Sequence, residues 1–227
     1  MNPLVKIAVF LIFWAIALQV QGQVPGNGQK AGLVWNEMTG EKLQALQLKG
    51  DAGRGAEAFQ ACQGCHRHGA IGSPSGAYPR LAGQHASVLI EQITDIRSGR
   101  RINLKMAPFA DEHVLTTQEI ADVAAYLQDL PLQGQQGGQG AGTALGRGKE
   151  LFGRDCAVCH GDAGQGNAQK FIPLVAGQHY GYLLREGALI RDEKRGNANP
   201  AMVKVIKSYR DEDLEAVSDY ISRLSPP

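Results

Sequence analysis

The sequence has no excess of charge of either sign, no strand-like alternation of polar and apolar residues, and only four cysteines. Its 227 residues include 23 Lys or Arg and 22 Asp or Glu. A nucleic-acid-binding protein would leave a basic excess, so this balance predicts no nucleic-acid partner. The hydrophobic fraction of 43% is ordinary for a folded globular protein. The lack of alternation argues against β-strands.

The N-terminus has few charges and one apolar run. Lys6 is the only charged side chain before Lys30, and the run from Ile7 to Leu18 follows it. This run has the length of the hydrophobic part of an export signal and is short for a bilayer span. We expect residues 1–22 to be a signal peptide that is cleaved after Gly22. A retained anchor, which would hold the protein at a membrane, is the alternative.

The chain contains two copies of one unit. Three pairs of segments recur at a constant offset of 94 residues: CQGCH and CAVCH, YPRLAGQH and IPLVAGQH, IADVAAYL and LEAVSDYI. A repeat in register over three segments predicts two similar domains. We place them at residues 51–131 and 145–227.

The segments outside the repeat differ in composition. Residues 132–144 are rich in Gly and Gln and predict a flexible linker, which would span roughly 20 Å as a random coil. The two domains could therefore pack together or swing apart. Residues 23–50 have no counterpart in the second unit, and this N-terminal extension would cover a surface or dock a partner.

Apolar residues recur at helical spacing in both units. Ile120, Val123 and Leu127 lie on one side of a helix that Thr116 and Glu119 would begin as a capping box. The second unit has the same pattern near its end. We therefore predict an all-α fold of two tandem helical domains.

All four cysteines lie in C-x-x-C-H motifs, at Cys62 and Cys65 and at Cys156 and Cys159. This motif is the attachment sequence for c-type haem, in which two thiols add to the vinyl groups of one porphyrin and the histidine takes the iron. It predicts two covalently attached haem c groups, with His66 and His160 on iron. A zinc site would need the four thiolates to converge, or two separate Cys-Cys-His sites that each lack a fourth ligand. A redox dithiol would need a thioredoxin-like pattern that the sequence lacks.

Two methionines are suited to the second axial position. Met106 lies 40 residues after His66, and Met202 lies 42 residues after His160. A soft thioether stabilises ferrous iron, so these residues are candidate ligands. The alternative is that each methionine fills core volume. Met38 precedes both units and has no paired counterpart.

His85 and His179 occupy matching positions after the AGQ segments. One interpretation is a rival axial ligand or a contact near a haem propionate. We favour the other, a helix-start residue repeated by duplication, because the methionines already provide the sixth ligand.

These motifs resemble the cytochrome c4 family of periplasmic dihaem electron carriers. The resemblance covers residues 51–227 except the linker, and rests on the CxxCH motifs, PRLAGQ and PLVAGQ, KMAP and NPAM, and the closing helices. It implies two class I cytochrome c folds and axial ligation by Met106 and Met202. It also implies that the carbonyls of Pro79 and Pro173 accept hydrogen bonds from the iron-bound histidines.

The resemblance also implies a role and partners. An electron carrier that is not itself an enzyme would exchange electrons with a quinol-oxidising complex, a terminal oxidase or a dehydrogenase in the periplasm. An alternative is a haem-bearing subunit of a periplasmic dehydrogenase complex. A dihaem enzyme fits less well, because no cysteine remains outside the two CxxCH motifs as a further iron ligand.

Overall fold

The computed structural model describes residues 36–132 and 138–225. The expected signal peptide lies outside these residues. Within them the secondary structure is helical, apart from one isolated bridge between Asn167 and Ile172. None of the helices in the described ranges is both long and apolar enough to cross a membrane.

Each repeat folds as a small helical unit. In residues 36–131, which we call the first half, the helices are α1 (Gly40–Gln47), α2 (Ala52–Ala58), α3 (Gln63–His66), α4 (Ala86–Arg97) and α5 (Thr117–Asp129). In residues 145–225, the second half, they are α6 (Leu145–Leu151), α7 (Ala157–His160), α8 (Tyr180–Arg191), α9 (Pro200–Ile206) and α10 (Asp211–Ser222). The capping box of Thr116 and Glu119 begins α5, as predicted.

The first and last helices of each repeat cross at a glycine. A Cβ added to Gly55 of α2 would lie 2.0 Å from the carbonyl oxygen of Asp122 in α5. A Cβ added to Gly148 of α6 would lie 2.1 Å from the carbonyl oxygen of Ala216 in α10. Only a residue without a side chain permits this approach. The crossings are therefore equivalent, and both rest on backbone contact.

The described part of the N-terminal extension, residues 36–50, covers a surface of the first repeat. Helix α1 packs against α4 and α5, and its Ala45 is fully buried. Lys42 of α1 is 5% exposed and its Nζ lies 2.8 Å from a carboxylate oxygen of Asp95 in α4. Glu41 accepts a hydrogen bond from Thr117 Oγ1 at 2.9 Å. Of the two roles expected for the extension, covering a surface describes α1.

The two halves pack against each other, and the histidines after AGQ lie where they meet. His85 and His179 immediately precede α4 and α8, as expected for helix-start residues. His179 Nε2 lies 2.8 Å from the carbonyl oxygen of Ile71, and His85 Nε2 lies 2.9 Å from that of Gln165. Ile71 and Gln165 are themselves repeat partners, so the contact is reciprocal.

Part of the Gly/Gln-rich segment is attached to the second half. Asp219 accepts hydrogen bonds from the backbone N–H groups of Gly140 at 3.0 Å and Gly142 at 2.7 Å. The N–H of Gly138 donates to His179 Nδ1 at 3.2 Å. Residues 138–142 are thus held by hydrogen bonds, whereas the linker was predicted to be flexible throughout. Residues 133–137 lie outside the described residues.

Candidate functional site

The first CxxCH motif lies on a short helix that ends at its histidine. The backbone N–H groups of Cys65 and His66 both donate to the carbonyl of Cys62, at 3.2 and 3.0 Å. Arg67 has a φ of +66°, which ends the helix directly after His66. This single turn holds both thiols and the imidazole, and His66 is only 6% exposed.

The second motif has the same arrangement on α7 but a different approach. Three residues separate Phe152 from Cys156, whereas only two separate Phe59 from Cys62. The extra residue is accommodated because Phe152–Cys156 forms a π-helical turn, where Phe59–Ala61 is a 3₁₀ turn. Both phenylalanines are therefore fully buried, although their spacing from the motif differs by one residue.

The first thiol of each motif is poorly suited to thiolate chemistry. Burial, with a contribution from Cys65, raises the pKa of Cys62 to about 11. Burial, with contributions from Asp155 and Cys159, raises the pKa of Cys156 to about 11. In the described ranges no three His, Cys, Asp or Glu side chains are grouped to hold a metal ion.

Each motif histidine is oriented by a proline carbonyl. Nδ1 of His66 lies 3.1 Å from the carbonyl oxygen of Pro79, and Nδ1 of His160 lies 3.1 Å from that of Pro173. A carbonyl can only accept, so each Nδ1 carries the proton and each Nε2 has a free lone pair. Burial lowers the pKa of both imidazoles, although the proline carbonyls act in the opposite direction.

The two proline peptides are also confined by glycines. A Cβ added to Gly72 would lie 2.5 Å from the carbonyl carbon of Pro79. A Cβ added to Gly166 would lie 2.5 Å from that of Pro173. Both glycines have positive φ and are 94 residues apart. Neither was selected from the sequence, although their matching positions in the repeat were a usable signal.

The candidate methionines lie in the same cores as the cysteines. Met106 and Cys62 both pack against the hydrophobic core of the first half. Met202, on α9, packs against the core of the second half, which includes Cys156. The structure therefore brings one methionine and one CxxCH motif to each core.

A buried arginine tests whether haem fits these residues. Arg80 is 5% exposed, and its three guanidinium nitrogens are buried without a hydrogen-bond partner among the described residues. Burial lowers its pKa. A buried cation requires an anionic partner. Haem has two propionate carboxylates. The guanidinium of Arg80, the residue after Pro79, is suited to pair with a propionate of a haem held by His66.

Gln84 and Gln178 connect the halves near these prolines. The side chain of Gln178 accepts from the N–H of Arg80 and donates to the carbonyl of Arg80, both at 2.9 Å. The side chain of Gln84 makes the same pair of 2.9 Å bonds with Leu174. Both glutamines lie in the repeated segments YPRLAGQH and IPLVAGQH, but the sequence alone predicted no role for them.

Comparison with known proteins defines the class. The family model described as Cytochrome c matches residues 52–131 and again residues 145–225. The chain is therefore a c-type cytochrome with two covalently attached haem c groups, and a carrier of electrons, as expected.

The particular family follows from the relatives. The chain is 31% identical to cytochrome c4 of Pseudomonas aeruginosa, over 77% of this chain and 89% of that protein. It is 33% identical to a thiosulfate dehydrogenase electron acceptor of Stutzerimonas stutzeri, over 74% of this chain and 80% of that protein. The crystal structure of reduced cytochrome c4 from Pseudomonas stutzeri matches with a TM-score of 0.68 at 28% identity, and the match covers 78% of this chain and all of that one. The chain belongs to the cytochrome c4 family.

A dehydrogenase also contains a similar region. Thiosulfate dehydrogenase from Marichromatium purpuratum matches with a TM-score of 0.66 at 26% identity. The match covers 75% of this chain but only 40% of that one. The all-α fold of two class I cytochrome c domains, the family and the two haem c groups are thus confirmed.

Proposed function

We propose that this chain carries single electrons in the periplasm between a dehydrogenase and a terminal oxidase and does not itself act as an enzyme. In this proposal residues 1–22 export the chain, and residues 51–131 and 145–227 each hold one haem. His66 and Met106 bind one iron, and His160 and Met202 bind the other.

The observation that supports this ligand set most directly is the matched histidine geometry. Both Nδ1 atoms donate to a proline carbonyl at 3.1 Å, which leaves both Nε2 atoms available to a metal. A ligating histidine whose other nitrogen is hydrogen-bonded in this way has a fixed ring orientation and increased basicity. When bound, haem supplies a reversible one-electron couple at iron.

The surrounding residues exclude water and keep the ligands in place. Phe59 and Leu127 in the first half, and Leu151 and Phe152 in the second, are at most 2% exposed. A closely packed core would restrict movement of the ligands when the iron changes charge. With His and Met both bound to each iron, the haems would transfer electrons rather than bind substrate.

The comparisons favour a dehydrogenase as the electron donor. One relative is named as the electron acceptor of thiosulfate dehydrogenase, and one dehydrogenase structure contains a region of this fold. A further relative, 28% identical over 65% of this chain and 56% of that protein, is the FixP subunit of a cbb3-type cytochrome c oxidase from Bradyrhizobium diazoefficiens. We therefore propose that a thiosulfate dehydrogenase donates and a terminal oxidase accepts.

Replacing the methionines one at a time tests the ligand set. In protein matured with haem, we expect Met106→Ala and Met202→Ala each to abolish half of the sulfur-to-iron absorption band of the oxidised protein. Each variant should also gain one carbon monoxide-binding haem on reduction. Near-infrared absorption and carbon monoxide titration measure both effects.

Met38→Ala is the matched control, because Met38 lies in the N-terminal extension and should leave both haems low-spin. Carbon monoxide binding by the unsubstituted protein would contradict closed axial positions. An unchanged band in either core variant would show that another residue binds that iron.

The dehydrogenase-subunit alternative has its own test. A permanent subunit would co-purify with its catalytic partner through gel filtration at moderate salt, whereas a carrier would separate from it. Rapid reduction of the isolated chain by added thiosulfate dehydrogenase and thiosulfate would support the carrier. Reduction no faster than without the enzyme would contradict the proposed donor.

A further inference from the structure

We propose that Gln178 and Gln84 are positioning residues that lower the reduction potential of the haem in the opposite half. Each acts through one peptide group that also accepts the hydrogen bond from the iron-bound histidine. The inference rests on the proposed ligation of iron by His66 and His160.

We call each of these chains of hydrogen bonds a relay, and the first relay ends at His66 in the first half. His66 Nδ1–H donates to the carbonyl oxygen of Pro79 at 3.1 Å. The N–H of Arg80 belongs to that same peptide group, and it donates to Oε1 of Gln178 at 2.9 Å. A continuous chain of two hydrogen bonds and one peptide therefore joins His66 to a side chain of the second half.

The second relay is its repeat image. His160 Nδ1–H donates to the carbonyl oxygen of Pro173 at 3.1 Å. The N–H of Leu174, in the same peptide group, donates to Oε1 of Gln84 at 2.9 Å. Each half thus supplies the glutamine that completes the histidine relay of the other half.

A peptide group transmits the effect because its two ends polarise each other. When the N–H donates to an acceptor, electron density moves toward the carbonyl oxygen, which becomes a better acceptor. A better acceptor on Nδ1 makes the imidazole a stronger donor to iron. Stronger donation stabilises ferric over ferrous iron, so each glutamine lowers the potential of the haem across the interface.

The geometry gives the glutamines little freedom to do anything else. Gln84 and Gln178 are 9% and 7% exposed. Their Nε2 atoms are committed to the carbonyls of Leu174 and Arg80, at 2.9 Å. Each Oε1 also accepts from the N–H of the next residue, His85 at 3.1 Å or His179 at 3.0 Å, so both ends of each amide are held in place. Gly72 and Gly166 approach the same proline peptides so closely that an added Cβ would lie 2.5 Å from each proline carbonyl carbon.

A purely adhesive role for the glutamines makes a different prediction. If they only hold the halves together, their loss would loosen the interface and affect the two haems alike. The relay predicts a crossed effect of defined sign, in which a substitution in one half raises the potential of the haem in the other.

Redox titration of single variants tests the relay in the holoprotein. For Gln178→Leu we expect the first-half haem to become easier to reduce, with an increase of about threefold to tenfold in its one-electron equilibrium constant. Tenfold corresponds to about 59 mV. For Gln84→Leu the second-half haem should shift instead. Gln→Met at either position removes the amide at similar volume, so it should raise the potential of the opposite haem as the leucine does.

Paramagnetic proton NMR during the titration assigns each step to a half, because the haem methyl signals connect to protons of Cys62 or Cys156 through the covalent thioethers. Gln128→Leu is the matched control. Its Oε1 accepts from the N–H of Ala86 at 2.9 Å within the same half, so its loss should shift neither potential.

Equal shifts of both haems, a shift confined to the substituted half, or unchanged potentials would each overturn the relay. If the leucine variants fail to fold, the methionine variants decide, because an unmoved or lowered potential of the opposite haem contradicts the inference. Failure of the proposed ligand set would look different, since it would give a high-spin or carbon monoxide-binding haem in the unsubstituted protein.

Discussion

Glu91 is an acidic side chain buried inside the first half, on the face of α4 that carries Asp95. It is 4% exposed. Burial raises its pKa to about 7, and Asp95 adds to the increase, while Lys42, Gln92 and Arg195 oppose it. A carboxyl with a pKa raised this far binds its proton more tightly in the folded state than in the unfolded state. Folding and protonation of Glu91 are therefore linked.

The linkage predicts a loss of stability as the pH rises. Between the ordinary glutamate pKa of 4.5 and the folded value of about 7, the unfolded chain releases the proton first. The free energy of unfolding should fall through this window, by on the order of 3 kcal/mol, and stay constant above it. In Glu91→Gln this decline should be largely absent, so the variant becomes more stable than the unsubstituted protein near pH 8. Urea denaturation of the holoprotein from pH 4.5 to 8 measures it.

Glu57→Gln is the control at this scale, because Glu57 is exposed on α2. Its pH profile should follow that of the unsubstituted protein. If the free energy of unfolding varied with pH in the same way for Glu91→Gln and Glu57→Gln, folding would not be linked to protonation of Glu91.

Single residues were predictable from the sequence where their chemistry is local. The CxxCH spacing fits within one helical turn, so its thiols and imidazole are brought together without help from the rest of the fold. Gln178 has no such signature, because its partner is a peptide 98 residues away. Nothing in the residues next to it distinguishes this glutamine from a solvated one.

At the scale of the helix, two glycines in α6 distinguish two effects of an added Cβ on stability. One effect is a clash with a neighbouring helix, and the other is a gain in helix propensity. Gly146 and Gly148 are two residues apart on this helix. A Cβ added to Gly146 would meet nothing within 4 Å, whereas one added to Gly148 would lie 2.1 Å from the carbonyl oxygen of Ala216.

The two alanine variants should therefore change stability in opposite directions. Gly148→Ala forces α6 away from α10, and we expect it to cost about 1–3 kcal/mol, as overpacking does. Gly146→Ala should stabilise by up to about 1 kcal/mol, because alanine loses less backbone entropy in a helix. Thermal unfolding of the holoprotein compares them. A Tm for Gly148→Ala at or above that of Gly146→Ala would contradict the close crossing.

The helices of both repeats were largely predictable, because apolar residues at helical spacing and the Thr116 capping box depend only on neighbours in sequence. The segments GRGAEAF (53–59) and GRGKELF (146–152) recur at an offset of 93 residues rather than 94, so one residue is gained or lost before the cysteines. Its structural form was not predictable. One extra residue can be taken up in a loop or in a π-helical turn, and the burial of both Phe152 and Cys156 favours the turn.

At the scale of the whole molecule, the halves share a buried ionic cluster. Arg101 lies 2.9 Å from Glu186, and Arg195 lies 3.0 Å from the same carboxylate. Each arginine also donates to Gln92 at 2.9 Å. Arg101 and Arg195 are repeat partners, as are Gln92 and Glu186. One carboxylate therefore serves two guanidinium groups at the interface, whose side chains are 10% and 16% exposed.

Removing that carboxylate should weaken the whole structure. Glu186→Gln leaves two buried cations facing a neutral amide, and losing one partner of a buried ion pair costs about 3–5 kcal/mol. Glu212→Gln is the control, since Glu212 and Arg210 form a pair 3.9 Å apart with both side chains about three-quarters exposed. Exposed pairs contribute at most about 1 kcal/mol. Urea denaturation of the two variants should separate them, and equal midpoints would show that the cluster contributes little.

Interdomain packing was the least predictable feature. The length and composition of residues 132–144 predict only how far this segment can extend. A coil of that length permits both packed and separated domains. The outcome depends on pairs such as Arg101 with Glu186, which lie 85 residues apart and only become neighbours once both halves have folded.

The reciprocal contacts of Gln84 and Gln178 have the pattern of a symmetric homodimer, in which one patch meets its own copy. Here both copies belong to one polypeptide. Two separate subunits with this patch would dissociate on dilution, whereas a short tether holds its partner at an effective concentration in the millimolar range. The pairing of the two halves therefore does not depend on protein concentration, and any electron transfer between their haems would be a first-order event.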